Sequence, residues 1–341
     1  MTARPRPWGR ASRRPLMMRT KTLAARHLAG PLTLPLTLPL VGLLLLTACS
    51  GAEPETAAQA KGTVNIDIHA WAGYEAQAAV MAHLLERELG YKVNKRPVKE
   101  DQSWKDFESG KVDVIVESWG HNDLKKTYIE QKKVALSAGL TGNKGVIGWY
   151  IPEWMAKRYP GITDYRNLNK YSSLFRTDKT GTAGQVLDGD PTFVTNDEAI
   201  IKNLGLNYRV VYSGSEAALI KAAQEATKNR TPLLMYFYEP QWLFTKIRLV
   251  KVSLPPYAVG CDDTAAKVAC DYPPYLLDKI VSKRFAETGG KAYEFVRNFN
   301  WTNDDQNAVA SDMINEKMSA EEAAERWVDE NKIVWKDWIP R

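Results

Sequence analysis

Short apolar segments that alternate with helical segments are the feature that most restricts the fold of this 341-residue chain. Residues 64–69 alternate apolar and polar side chains, as a strand with one buried face does, and the apolar positions of residues 75–89 recur at helical spacing. A strand, a helix and a strand follow at residues 91–94, 104–109 and 112–116. This order predicts an α/β fold whose sheet contains parallel neighbours.

The same alternation continues through the rest of the chain. Residues 177–190 lack an apolar period and are predicted to form a loop, and the chain after the cysteine-containing loop is predicted to be helical. Further helices are predicted at 124–134, 152–157, 198–204, 216–228, 286–299 and 320–331, and further strands at 145–151, 208–212, 233–238 and 249–254.

The pattern divides into two α/β halves, and the chain passes from one half to the other at two points. They are predicted near Gly145 and near Trp242, so that residues 63–145 and 243–341 form lobe 1 and residues 146–242 form lobe 2. Open α/β sheets place ligands beyond the carboxyl ends of their strands. We therefore expect a cleft between the lobes.

The amino terminus has the pattern of an export signal. Eight basic residues and no acidic ones precede or interrupt the apolar run at 31–48, which ends in Leu46-Thr47-Ala48-Cys49 and resembles a bacterial lipobox. We expect residues 1–48 to be a lipoprotein signal peptide, Cys49 to carry lipid, and residues 49–62 to be a flexible tether. The alternative is an ordinary signal peptide with a chance cysteine. Either places the domain outside the cytoplasm, and lipidation places it on the outer face of the bacterial cell membrane.

Removal of this segment reverses the net charge. The full chain has 46 basic and 40 acidic residues, and without the eight basic residues of the signal 38 remain, a formal net charge of −2. No basic stripe is left to bind phosphate, which excludes a nucleic-acid partner.

Cys261 and Cys270 are the other two cysteines, and neither has a histidine neighbour in sequence. In an exported protein such a pair predicts a structural disulfide rather than a metal site.

Catalytic patterns are absent from the sequence. It contains no HExxH, P-loop, GxGxxG or GxSxG pattern. We expect no catalytic residue, no metal and no cofactor. One alternative is a secreted hydrolase with an aromatic cleft, for which Glu117 and Glu239 are the candidate carboxylates.

Aromatic residues recur where apolar strands end. Trp71, Trp119, Trp149 and Tyr238 each occupy the carboxyl end of such a strand, and Tyr238 begins a ring-rich turn that ends at Trp242. Ring faces carry negative potential, and several rings around one pocket attract a cation that cannot donate hydrogen bonds. This recurrence predicts a site for a small quaternary ammonium compound. Trp301, Trp327, Trp335 and Trp338 lie in the helical end of the chain and are predicted to be packing residues.

The chain resembles the substrate-binding proteins of glycine betaine, choline and proline-betaine ABC importers over residues 62–338. Residues 238–242, YEPQW, are similar to the family's W-x-P-[HY]-W, and residues 113–119 to a strand that ends in a cage tryptophan. Residues 189–193 and the pair of segments 204–206 and 215–218 resemble further family motifs. The resemblance implies a two-lobed type II periplasmic binding protein that closes over its ligand.

By position, the resemblance implies a cage of Trp119, Phe193 and Tyr238, with Trp71 and Trp149 as additional walls. Gln241 stands where the family has a histidine or tyrosine that contacts a ligand carboxylate, and Gly73 stands where choline-type members have an acid. These departures favour a betaine whose carboxylate binds Gln241 and the backbone amides around Gly73 and Tyr74.

The implied partners are the solute, the membrane subunits of an ABC permease and, through the lipid, the membrane, and we expect a monomer. The remaining alternative within this fold is another solute, such as an amino acid, ectoine or carnitine.

Overall fold

The structure is a computed structural model, and it describes residues 61–341. Its strands are β1 Thr63–Ile68, β2 Lys92–Pro97, β3 Val114–Ser118, β4 Ala135–Pro152, β5 Gly184–Asp188, β6 Tyr208–Tyr212, β7 Met235–Glu239, β8 Leu249–Lys251 and β9 Pro274–Ser282. Its α-helices are α1 Ala72–Arg87, α2 Glu100–Ser109, α3 Asn122–Lys125, α4 Glu153–Arg158, α5 Tyr165–Tyr171, α6 Asp197–Asn203, α7 Glu216–Asn229, α8 Lys283–Thr288, α9 Gly290–Asn298, α10 Asn303–Asn315, α11 Ala320–Glu330 and α12 Lys332–Trp335. The predicted α/β fold class is confirmed.

The nine strands form one mixed sheet in the order β2-β1-β3-β9-β4-β7-β5-β6, with β8 paired to β4. β1 pairs in parallel with β2 and β3, and β5 pairs in parallel with β6 and β7. Between these two parallel groups, β9 is antiparallel to β3 and to β4, and β4 is antiparallel to β7. Two α/β halves are therefore joined through β4 and β9.

The first half is built as the sequence predicts. α1 buries Ala76, Val80 and Leu84 against the sheet, and the last helices, α10 and α11, also pack on α1. Trp301 stands edge-on to Trp327 at a centroid distance of 5.7 Å among these helices. All four carboxyl-terminal tryptophans are buried, as packing residues are.

Strand β9 was missed, since the sequence predicted only helices after the cysteine loop. Its first three residues are partly exposed, whereas Leu277 to Ser282 are buried. Buried polar residues interrupt its apolar run. One of them, Lys279, donates from Nζ to the backbone carbonyl of Phe299 at 2.5 Å. A strand that pairs on both edges needs no alternating pattern, and so the periodicity that identifies strands was lacking.

Strand β5 was predicted to be part of a loop. It has only two adjacent apolar residues, Val186 and Leu187, and lies between β6 and β7. Its neighbours in the sheet supply the hydrogen bonds and the burial that its own sequence does not indicate.

Residues between Trp242 and β9 associate with the second half. Strand β8 pairs with the carboxyl end of β4 at Tyr150–Pro152, and the Tyr272 hydroxyl donates to Asp197 at 2.6 Å. We therefore propose that the second lobe extends past residue 242 as far as the start of β9. Cys261 and Cys270 are joined by a disulfide within this segment.

The predicted signal peptide, Cys49 and nearly all of the tether lie outside the described residues. No helix among residues 61–341 combines the length and the apolar character that spanning a membrane requires.

Candidate ligand-binding cavity

Five aromatic rings line one cavity, and four of them lie at or beyond the carboxyl ends of strands. Trp71 follows β1 as the N-cap of α1, Trp119 follows β3, Phe193 follows β5, and Tyr238 lies near the end of β7. The cavity encloses about 310 Å³ of space between protein atoms, part of which is open to solvent. Its lining consists of Trp71, Glu100, Trp119, Ile147, Phe193, Val194, Tyr236 and Tyr238.

The rings meet in pairs, one member from each half of the sheet. Trp119 and Tyr238 are 5.3 Å apart at an interplanar angle of 73°, and Trp71 and Phe193 are 6.0 Å apart at 80°. Edge-to-face contact is a favoured geometry for aromatic pairs. Three of the four predicted strand-end rings, Trp71, Trp119 and Tyr238, therefore line one cavity, and walls from both halves bound it.

Glu117 orients the two tryptophans of the first half. Its Oε1 accepts from Trp71 Nε1 at 3.1 Å and from Trp119 Nε1 at 2.5 Å, and its Oε2 accepts from Gln306 Nε2 at 2.7 Å. Burial raises the pKa of the Glu117 carboxyl, and the hydrogen bonds from Trp119, Gln306 and Trp71 oppose this rise. A buried carboxylate with three donors has little capacity left for catalysis, and it fits an orienting role.

Glu216, the first residue of α7, performs a similar role in the second half. Its Oε1 accepts from the Tyr238 hydroxyl at 2.6 Å and from Gln241 Nε2 at 2.8 Å, and its Oε2 accepts from the backbone N–H of Ala72 at 2.9 Å. Burial raises the pKa of the Glu216 carboxyl, and these three donors lower it again in part. Since Ala72 begins α1, this carboxylate links the two halves beside the cavity.

Two of the predicted carboxylate donors are consequently occupied. Gln241 gives its amide N–H to Glu216, accepts from Leu243 N through Oε1 at 2.7 Å, and does not line the cavity. Ala72 N is bound to the same glutamate. The sequence alone did not indicate that the carboxylate of Glu216, at the start of α7, would bind the Gln241 amide.

Three further predicted site residues also lie outside the lining. Trp149 is fully buried and donates through Nε1 to Asp197 Oδ1 at 2.7 Å, so it is a core residue of the second half. Tyr74 is fully buried, and its hydroxyl oxygen accepts from Val116 N at 3.1 Å. Gly73 lies against Gln306, whose Nε2 would be 2.6 Å from a Cβ at this position. Here a small residue is needed for packing.

Three titratable side chains, Glu100, His121 and His69, lie close together beside the cavity. Glu100 begins α2 and lines the cavity, and His121 Nε2 lies 2.8 Å from Glu100 Oε1. Burial acts to raise the pKa of Glu100, but His121 outweighs it and the net pKa is lowered. For His121 burial acts to lower the pKa, but Glu100 outweighs it and the pKa is raised. His69 is neutral at neutral pH, because burial lowers its pKa to about 4.

Four lining residues were not predicted as site residues. Ile147 and Tyr236 lie on β4 and β7, which have ordinary apolar patterns, and Val194 follows Phe193 in the segment after β5. Glu100 precedes Asp101 and Gln102 at a helix start, where acidic residues are common for electrostatic reasons alone. No local signal separates it from a surface residue. Within residues 61–341 no cluster of three or more metal-ligating side chains occurs.

A family profile described as the substrate binding domain of ABC-type glycine betaine transport systems matches residues 62–330. Among curated proteins, the chain is similar to a trimethylamine N-oxide-binding protein of Pelagibacter ubique (strain HTCC1062). The two are 24% identical over 316 residues, covering 87% of this chain and 96% of the relative.

Two solved structures share the fold. Lactococcal OpuAC, in its closed-liganded conformation with glycine betaine, superimposes with a TM-score of 0.65 at 21% identity, covering 82% of this chain and all of the other. An ABC-transporter choline binding protein in complex with choline gives a TM-score of 0.65 at 16% identity, covering 81% and 91%. The two-lobed binding-protein architecture is thereby confirmed.

Proposed function

Because the chain belongs to the family of substrate-binding domains of ABC-type glycine betaine transport systems, we propose that it binds a small trimethylated ammonium compound outside the cytoplasm and delivers it to an ABC permease. Binding proteins of this family are not enzymes. The hydrolase alternative also lacks structural support, since Glu117 is buried under three hydrogen bonds whereas Glu239 is exposed at the end of β7.

The observation that carries this proposal is the cavity bounded by Trp71, Trp119, Phe193 and Tyr238. A methylated ammonium group offers no N–H to a polar partner, and its charge is attracted to ring faces, at ~2 kcal/mol or more per desolvated contact. A lysine-like amine would lose three hydrogen bonds to water on entering the same rings.

The candidate ligands are glycine betaine, choline and trimethylamine N-oxide, the ligands of the three relatives described above. A betaine was favoured by the sequence, but two of the donors expected to hold its carboxylate bind Glu216 instead. Carnitine carries a trimethylammonium group and a carboxylate, and so it belongs with the betaines. The second candidate function is a binding protein of the same fold for an amino acid or ectoine.

Thermal unfolding of the mature protein with a panel of these solutes tests the assignment. A ligand at roughly a hundredfold excess over its dissociation constant stabilises the folded protein by ~2.7 kcal/mol. We expect at least one trimethylated compound to raise the unfolding temperature and proline and sugars to leave it unchanged. A response to amino acids or sugars alone would reject the proposal.

Replacement of Trp119 tests the cavity itself. We expect Trp119→Ala to weaken binding of the active solute more than tenfold, about 1.4 kcal/mol, because a ring that contacts the cation is lost. Isothermal titration calorimetry measures the change.

Trp327→Ala is the matched control, since Trp327 is 5% exposed and Trp119 is 7% exposed. Trp327 lies on α11 and does not line the cavity. Its replacement should lower stability and leave affinity unchanged. Equal loss of affinity in both variants would contradict the assignment of the cavity.

We further propose that the protein is a monomeric lipoprotein held at the membrane through Cys49. This rests on the lipobox-like residues 46–49 and the basic and apolar residues before them.

A further inference from the structure

We propose that the cavity selects trimethylated ammonium compounds that lack a carboxylate, and that Glu100 is the specificity-determining residue. This inference rests on the proposed function, because it concerns the group attached to the methylated nitrogen. It divides the candidate ligands into choline-like and N-oxide compounds on one side and betaines on the other.

Glu100 is the only formally charged residue among the eight that line the cavity within the described chain. It is 7% exposed, and the partner that holds it ionised, His121, does not belong to the lining. The negative end of this ion pair therefore faces the ligand. In a buried site with a low effective dielectric, this orientation favours a cation and opposes an anionic group.

Side-chain donors in the lining are already used within the protein. Trp71 and Trp119 donate their indole N–H groups to Glu117, and Tyr238 donates its hydroxyl to Glu216. The hydroxyl of Tyr236 donates to the backbone carbonyl of Val194 at 3.1 Å. A ligand carboxylate would have to break one of these bonds or bind backbone N–H groups alone, and a buried carboxylate with few donors is unfavourable.

The nearby positions that suit a carboxylate hold a protein carboxylate instead. Ala72 N and Gln241 Nε2 both bind Glu216. Gly73 packs on Gln306 and offers no side chain. Glu100 supplies an acid to the cavity from another element, the start of α2. A choline-like hydroxyl can donate to this carboxylate, and an N-oxide that takes up a proton from water binds as a hydroxyammonium cation whose O–H donates in the same way.

The experiment compares two ligands that differ at this group alone. Choline and glycine betaine share the trimethylammonium head, and trimethylamine N-oxide provides a third, carboxylate-free compound. Dissociation constants are measured by calorimetry for the wild type, Glu100→Gln and Glu100→Asp. We expect the wild type to bind choline or the N-oxide at least tenfold more tightly than glycine betaine.

Glu100→Gln should reduce that preference at least tenfold, since the amide removes the charge and supplies an N–H donor for a carboxylate. Glu100→Asp keeps the charge and should keep the preference. Glu108→Gln, near the other end of α2, is the matched control, because Glu108 pairs with Lys132 at the surface and should not affect the ratio.

Tighter binding of glycine betaine by the wild type would overturn the inference and leave the proposed function intact. An unchanged ratio in a folded Glu100→Gln protein would overturn the role of Glu100. If none of the three compounds binds the wild type, the proposed function itself fails. The wild-type ratio decides the selectivity even if a variant does not fold.

Discussion

Single buried carboxylates determine how the aromatic rings are presented. Trp71 and Trp119 have their indole N–H groups fixed by Glu117, and Tyr238 has its hydroxyl fixed by Glu216. An aromatic side chain with a polar handle can be held at its edge while its faces remain available. Phe193 has no such handle, and it packs edge-on to Trp71 instead.

Glu117→Gln is predicted to disturb both tryptophans at once. The carboxylate accepts three hydrogen bonds, whereas an amide would face at least one of these donors with its own NH₂ group. An unsatisfied buried donor costs about 1–3 kcal/mol. We expect a lower unfolding temperature by calorimetry and at least a tenfold loss of affinity by titration.

Glu239→Gln is the control at this scale. Glu239 follows Tyr238 directly, but it is exposed at the end of β7. Its substitution should change neither affinity nor stability appreciably. If both glutamine variants bind as the wild type does, Glu117 does not orient the tryptophans.

Among the secondary-structure elements, β4 supplies the backbone surface against which Trp119, one wall of the cavity, packs. A Cβ at Gly145 would lie 2.6 Å from Cζ3 of Trp119 and 3.1 Å from a methyl carbon of Leu277. The indole therefore packs directly on the backbone of β4, where that strand pairs with Tyr275 of β9. Close-packed interiors accommodate an added methyl group only by moving a neighbour.

Gly145→Ala is predicted to push the Trp119 ring toward the cavity and to lower affinity at least threefold, as measured by titration. Gly148→Ala is the control on the same strand. Its Cβ would meet the flexible end of the Lys251 side chain, 2.2 Å from Cε, which can move away. We expect little change in binding there. A fully active Gly145→Ala protein would show that the ring position is not critical.

In the whole molecule, the cavity exists because two halves meet. Trp71, Trp119 and Glu100 come from the half that contains β1 and β3, whereas Phe193 and Tyr238 come from the half that contains β5 and β7. Strands β4 and β9 join the two halves through one continuous sheet, and Glu216 adds a direct bond to the start of α1.

Delivery to a permease is also a property of the whole protein, and membrane attachment should serve it. Cys49→Ala is predicted to release the protein from the membrane fraction into the soluble or secreted fraction, detected by immunoblotting after fractionation. Ligand affinity should be unchanged, since Cys49 precedes the matched residues 62–330. Continued retention in the membrane would contradict lipid anchoring.

The sequence by itself determined the α/β class, through the alternation of strands and helices, and it indicated that Trp71, Trp119 and Tyr238 lie around one cavity. Parallel strands present their carboxyl ends at one edge, so Trp71 and Trp119 had to lie near each other. It also determined which family the chain resembles, which the match over residues 62–330 confirmed.

Only the tertiary structure decided which polar groups remain free for a ligand. Gln241 and the start of α1 lost that role because Glu216, on a helix far along the chain, reaches both. Trp149 is buried in the core, where Asp197 accepts a hydrogen bond from its indole N–H. Glu100 lines the cavity, although its sequence context is that of a helix start at the protein surface. Hydrogen-bond partners that are distant in sequence leave no local pattern. These partners determine which polar and charged groups face the cavity.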